Sequence, residues 1–283
     1  MDRKIVISRM LKSKFFMVGA ITAAFIILIS IFSPAIVKFD PITNALKERL
    51  ISPEYFTYGL NGHIFGTDEM GRDVFSRLLL GSRYSLFIAL AVVSVAAVIG
   101  TILGAISGYF GGTADMIIMR ACDIMMAIPN LVLAIAVMAI LGPNIFNLII
   151  VLIITSWVQY CKVTRNNVMI VKNIEFVKAA QVLGASRGNI MFKQIFPNVT
   201  TQLIILISQQ FGWTILTEAS LSFLSLGVQP PTPSWGNMIA DGRNFLITCP
   251  WLVFAPGITL MITVLAFNFL GDGLRDVLDP KRT

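Results

Sequence analysis

"SLFIALAVVSVAAVIGTILGAIS", residues 85–107, carries no charged side chain along its whole length. A bilayer's hydrocarbon core is about 30 Å thick, and a helix needs roughly 20 residues to cross it. This stretch meets that length, whereas a barrel strand would be shorter and strictly alternating. Working outward, five further segments meet or approach the same length: 15–37, 117–141, 144–160, 202–226 and 251–270. The third span in chain order carries Arg120 and Asp123 close to its start, and the fourth is short. Composition agrees, with 56% hydrophobic and 13% charged residues and a mean hydropathy of +0.80, against about 25% charged in soluble domains. The reading is an all-α polytopic membrane protein with six transmembrane helices. Its first apolar run is too long for the core of a signal peptide and no small-x-small cleavage site follows, so it is expected to be retained.

The formal charge of +7 raises the question of nucleic acid, but in a membrane protein the distribution matters more than the sum. Arg3, Lys4, Arg9, Lys12 and Lys14 precede the first span, against Asp2 alone. With that segment in the cytoplasm, both termini and the 161–200 loop are inside. The cytoplasmic segments then hold 15 Lys and Arg and the outer loops 7. The basic excess reads as a positive-inside signature and not as a nucleic-acid face. Residues 1–80 form an N-terminal cytoplasmic segment, first helix and outer loop; residues 81–283 form a core of five spans.

Within that core, Gly100, Gly104 and Gly108 recur every fourth residue and share a helix face. Small residues at this spacing let helix backbones approach in lipid, where van der Waals contact drives association. The face suits either a helix that slides against its neighbour or a static packing surface. Pro129 and Pro256 fall inside spans and are expected to kink them. Glu218 lies in the fifth span, where a carboxylate is costly without a cavity or a partner. It is a candidate for lining a translocation path, or for capping a helix or bonding Arg or Ser side chains.

The outer loops look ordered. "HIFGTDEMGRDVFSRLLLGSR", residues 63–83, reads as a turn and a short helix from about Asp73, amphipathic and lying on the outer surface. Asp68, Glu69 and Asp73 match no calcium-loop spacing, and Arg72 and Arg77 are at hand to neutralise them. "GVQPPTPSWGNMIADGRNF", residues 227–245, cannot start as regular helix because of its prolines. Equipment for chemistry is scarce. Cys122, Cys161 and Cys249 are far apart, His63 is the sole histidine, and no phosphate-binding glycine loop, zinc-protease motif or Ser–His pairing is present. No catalytic, metal or cofactor residues are assigned. Met116, Met119, Met125 and Met126 read as flexible packing rather than soft-metal ligands.

Between the fourth and fifth spans lies "EFVKAAQVLGASRGNIMFKQIFPN", residues 175–198. Good helix formers run up to Leu183, and Gly184 follows where a left-handed C-terminal cap is wanted. Ser186 is placed to N-cap a second short helix, which Pro197 follows closely. The segment therefore predicts two brief helices at a tight corner below the membrane, with Ala179, Ala180 and Gly184 keeping its profile low.

This pattern resembles the "EAA" loop of the inner-membrane permeases of bacterial ATP-binding-cassette importers: E-A-A, three residues, Gly, nine residues, then I-x-L-P. The matching positions are Lys178-Ala179-Ala180, Gly184 and Pro197, with Lys178 in place of the first Glu and Glu175 one turn earlier. Gln194 and Phe196 stand where the family has Ile and Leu. "FGTDEMGRDVFSRLLLGSRYSL", "GAISGYFGG", "EASLSFLSLGVQPPTPSWGNMIADGR" and "LGDGLRDVLDP" are similar to the second permease subunit of the dipeptide, oligopeptide and nickel branch. The likeness extends over about residues 60–280.

The resemblance implies a type I importer permease fold in a bacterial inner membrane, forming half of a translocation path. It implies that Glu175, Lys178, Ala179, Ala180, Gly184, Ala185, Ser186 and Pro197 belong to a coupling loop seated on an ATPase subunit. It also implies a second permease, two ATPases that bind the ATP and Mg, and an external substrate-binding protein. The expected cargo is di- or oligopeptide. Nickel or a metal chelate is the nearest alternative, and an ion-coupled secondary transporter is the alternative of another class.

Overall fold

The computed structural model describes residues 3–53 and 62–278, all of them helix or connecting loop apart from one isolated bridge between Thr67 and Asp73. The closing "DP" of the motif at 270–280 lies outside the described residues. In chain order come α1 (Arg3–Lys12), α2 (Lys14–Ile36), α3 (Val74–Phe110), α4 (Gly112–Met126) and α5 (Asn130–Leu141). Then follow α6 (Ile145–Lys172), α7 (Glu175–Val182), α8 (Arg187–Phe223), α9 (Trp235–Gly242) and α10 (Trp251–Leu278). Helices α2, α3, α6, α8 and α10 are each long and apolar enough to cross a bilayer. The pair α4–α5, bent by 85° at its break, passes the same test only when its two helices are taken together.

Capping side chains set several of these boundaries. The Ser13 hydroxyl accepts from the Phe16 N–H and starts α2, and an Asp73 carboxylate oxygen accepts from the Ser76 N–H at 2.7 Å and starts α3. Asn144 caps α6 through the Phe146 N–H at 2.8 Å, while the Asn147 side-chain amide donates back to the Leu141 and Gly142 carbonyls that end α5. The expected kink at Pro129 is a full break: proline lacks an N–H and drives its predecessor out of helical geometry, so α4 stops at Met126. Pro256 leaves α10 continuous.

Three expectations from sequence need correction. The short surface helix from Asp73 is the first part of α3, which runs 37 residues without interruption, roughly 55 Å at 1.5 Å per residue. Its Val74, Leu78 and Leu79 are buried; Trp235 and Met238 of α9 pack with the first two, and the Trp235 indole donates to the Leu78 carbonyl at 3.1 Å. The division at residue 80 thus falls inside one helix. The short fourth span is 28 residues long, because Cys161, Thr164, Val168 and Val171 continue a buried stripe past its apolar part. The second brief helix after Ser186 does not end at Pro197. It passes through a π turn, Ile190–Ile195, and continues as the fifth span, a widening that accommodates proline's missing N–H.

Packing is closest where glycine removes the side chain. A Cβ built at Gly100 would lie 2.4 Å from the Trp157 carbonyl oxygen, and one at Gly104 would lie 2.3 Å from that of Cys161. At Gly108 the Arg165 carbonyl oxygen would be 2.7 Å away. The three glycines therefore set α3 directly on the backbone of α6. Arg165 of α6 also grips Asp115 of α4 with two donors, at 2.5 and 2.7 Å.

Candidate functional site

The corner between α7 and α8 is built from both sides. Gly184 sits at φ +80° with open space around its α-carbon. Its N–H donates to the Gln181 carbonyl at 3.1 Å and the Ala185 N–H to the Ala180 carbonyl at 3.0 Å, the paired bonds of a Schellman motif. The Ser186 hydroxyl accepts from the Asn189 N–H at 3.3 Å and opens α8. Beneath the corner, Val177, Ile190, Ile195 and Val199 pack with Tyr109, Val168 and Leu203, so the knuckle rests on α3, α6 and α8. Its tip is bare: Val182 is 87% and Leu183 86% exposed. Glu175, Lys178, Ala179 and Pro197 are exposed, and Ala180 and Ala185 half-buried. Two large apolar side chains held out on a rigid corner suit a protein partner better than water.

Glu218 is fully buried in α8 and lies away from this knuckle. Its carboxylate accepts from the Ser85 hydroxyl of α3 at 3.0 Å and from the Ser222 hydroxyl at 2.8 Å. Ser222 in turn accepts from the Val228 N–H at 3.1 Å, which ties the chain after α8 to the same point.

Sequence reasoning missed a third feature. Gln159 of α6, Gln209, Gln210 and Trp213 of α8, and Asn268 and Asp272 of α10 put polar groups on a groove of about 540 Å³ whose remaining lining is Leu206, Leu216 and Val264. The Gln209 amide donates to Asp272 at 3.2 Å. Carboxamides within apolar spans were the available signal, because polar side chains in a membrane helix face a partner, a cavity or a path.

On the opposite end of the bundle from the knuckle, charged side chains fasten residues 63–73 to the start of α3. Asp68 receives Arg72 at 2.8 Å and Arg77 at 3.3 Å, and His63 meets Asp73 at 2.9 Å. Burial raises the Asp241 carboxyl above the usual carboxylate range, opposed by Arg77 at 3.8 Å. Burial likewise raises Glu69, helped by the nearby Asp241 and Asp68 charges. Asp68 is thus engaged by two arginines and Asp73 by His63, as the sequence's rejection of a cation site there leads one to expect.

Residues 100–283 match the family described as binding-protein-dependent transport system inner membrane component. Residues 3–53 match the N-terminal transmembrane domain of oligopeptide transport permease C. The dipeptide transport system permease protein DppC of Alkalihalophilus pseudofirmus is 42% identical over 270 residues, covering 95% of this chain and 87% of its own. The oligopeptide transport system permease protein OppC of Bacillus subtilis is 41% identical over 273 residues, covering 96% and 88%. A crystal structure of an amino acid ABC transporter with histidines shares the fold, with a TM-score of 0.55 at 14% identity over 70% of this chain and 92% of that one. On the extent of these matches, the chain belongs to the inner-membrane components of binding-protein-dependent transport systems.

Proposed function

We propose that this chain is one permease of an ATP-driven importer of di- or oligopeptides in a bacterial cytoplasmic membrane. It forms half of the translocation path and takes its power from separate ATPase subunits. The observation that carries this reading is the knuckle: a Schellman corner at Gly184, seated on three helices, that exposes Val182 and Leu183 at its tip. Coupling requires a contact that transmits displacement, so its base must be rigid and its tip must fit another protein closely. Val177, Ile190 and Ile195 supply the base; the small side chains at Ala179, Ala180 and Gly184 let a cleft close around α7. The positive-inside count supports a cytoplasmic knuckle and cytoplasmic termini.

The remaining members of the assembly are a second permease of similar fold, two ATPases holding ATP and Mg, and an external binding protein that delivers cargo. The amide-lined groove supports the peptide reading over a metal chelate. Carboxamides offer both a donor and an acceptor, the complement of a peptide main chain.

The knuckle is tested by Gly184→Val and Ala180→Glu in the intact transporter. The first forces a β-branched residue to positive φ; the second adds charge at the docking surface. Both variants should insert and hold their permease partner, yet lose most peptide uptake and peptide-stimulated ATP hydrolysis. Normal uptake in both would refute the coupling role.

A further inference from the structure

A second groove, predominantly apolar, separates α2 from α3 on the outside of the bundle, with a volume of about 650 Å³. Leu80, Arg83, Tyr84 and Phe87 of α3 line one wall at i, i+3, i+4 and i+7 spacing, a single helix face. Ile27 and Ile31 of α2 form the other wall. Its floor is the stacked pair Phe211 and Phe267, ring centroids 4.2 Å apart. The groove continues down α3 to Leu90, about 10 Å from Arg83 at 1.5 Å per residue. Phe87, Leu90 and Ile31 are each more than half exposed.

Arg83 gives this groove a polar end. It is exposed and makes no hydrogen bond or ion pair with another described residue. Arg72 and Arg77, by contrast, are drawn to Asp68. Arg83 stands two residues before the uncharged run that begins at Ser85, so it lies where hydrocarbon meets headgroups. Tyr84 beside it is a residue type suited to that level.

We propose that this groove holds one anionic glycerophospholipid from the leaflet on the side of residues 38–53. An acyl chain lies against Phe87, Leu90, Ile27 and Ile31, and the phosphate meets the Arg83 guanidinium. The planar fork of arginine matches phosphate oxygens, and a headgroup such as phosphatidylglycerol's has no ammonium of its own to compete. No carboxylate lines the groove, so its charge complements an anion.

The test uses the complete transporter, purified with its partner subunits into nanodiscs of equal phosphatidylglycerol and phosphatidylcholine, with retained lipid measured by native mass spectrometry. The wild type should hold phosphatidylglycerol selectively. Arg83→Gln should weaken that retention about tenfold, the weight of one charge-assisted hydrogen bond. Arg83→Lys, which keeps the charge without the fork, should fall between. Phe87→Trp, which narrows the groove without altering charge, should also release lipid, and it carries the test if the glutamine variant fails to assemble. Equal retention in the wild type and Arg83→Gln would overturn the proposal. So would a photoreactive phenylalanine analogue at position 90 that crosslinks to a protein subunit instead of a lipid.

Discussion

Glu218 illustrates what one side chain settles. A lone carboxylate inside a membrane protein costs several kcal/mol, yet this one is fully buried and satisfied by two serine hydroxyls. It joins α3 to α8 and, through Ser222, fixes the loop leading to α9. Glu218→Ala should leave Ser85 and Ser222 without their acceptor, at about 1–3 kcal/mol for each orphaned group. The purified transporter should melt at a lower temperature, and uptake should fall with the ATPases still bound. Glu218→Gln keeps an acceptor oxygen and should retain most of both. An alanine variant that melts like the wild type would reduce the residue to filler. The sequence singled out Glu218, because a charge in an apolar run is conspicuous. Its partner Ser85, 133 residues away, was not legible, because a serine in a span carries no mark of what it faces.

At the scale of elements, the contact of α3 with α6 rests on the glycine column. A leucine at Gly104 would drive its Cβ into the Cys161 carbonyl, 2.3 Å away, so Gly104→Leu should cost about 3 kcal/mol or more. The expected outcome is little folded transporter recovered after membrane extraction, scored by gel-filtration yield. Gly188→Ala, where a Cβ meets nothing within 4 Å, is the matched control and should behave as wild type. Glycine spacing was readable because period and residue type coincide there. The full length of α6 was not, since Lys162, Arg165 and Lys172 make its last turns look like a loop in hydropathy. Only a neighbouring helix reveals that Cys161, Thr164 and Val168 form a buried stripe. The same holds for Val74 and Leu78, whose amphipathic pattern signals burial without saying whether lipid or α9 provides it.

For the whole molecule, the apolar spans and the corner between α7 and α8 were legible from apolar length and one motif, whereas the shared groove was not. It arises only when α6, α8 and α10 converge, and isolated glutamines do not announce a common surface. If cargo passes along it, Gln209→Leu and Asp272→Asn should each lower peptide uptake several-fold while basal ATP hydrolysis persists. Proteoliposomes measured for both activities would separate this from a loss of coupling. Unchanged uptake in the two variants would move the path elsewhere.

The glycine-seated pair has a mechanical corollary. Neither α3 nor α6 contains a proline, and at Gly100, Gly104 and Gly108 their backbones meet directly. A shear between them would have to lift one rod off the other, which is far costlier than turning both together. In the proposed coupling role the pair acts as a strut, with the knuckle against one end and residues 63–73 fastened at the other. Under that proposal a tug at the tip should arrive at the far surface as rotation, and clamping that surface should still the tip.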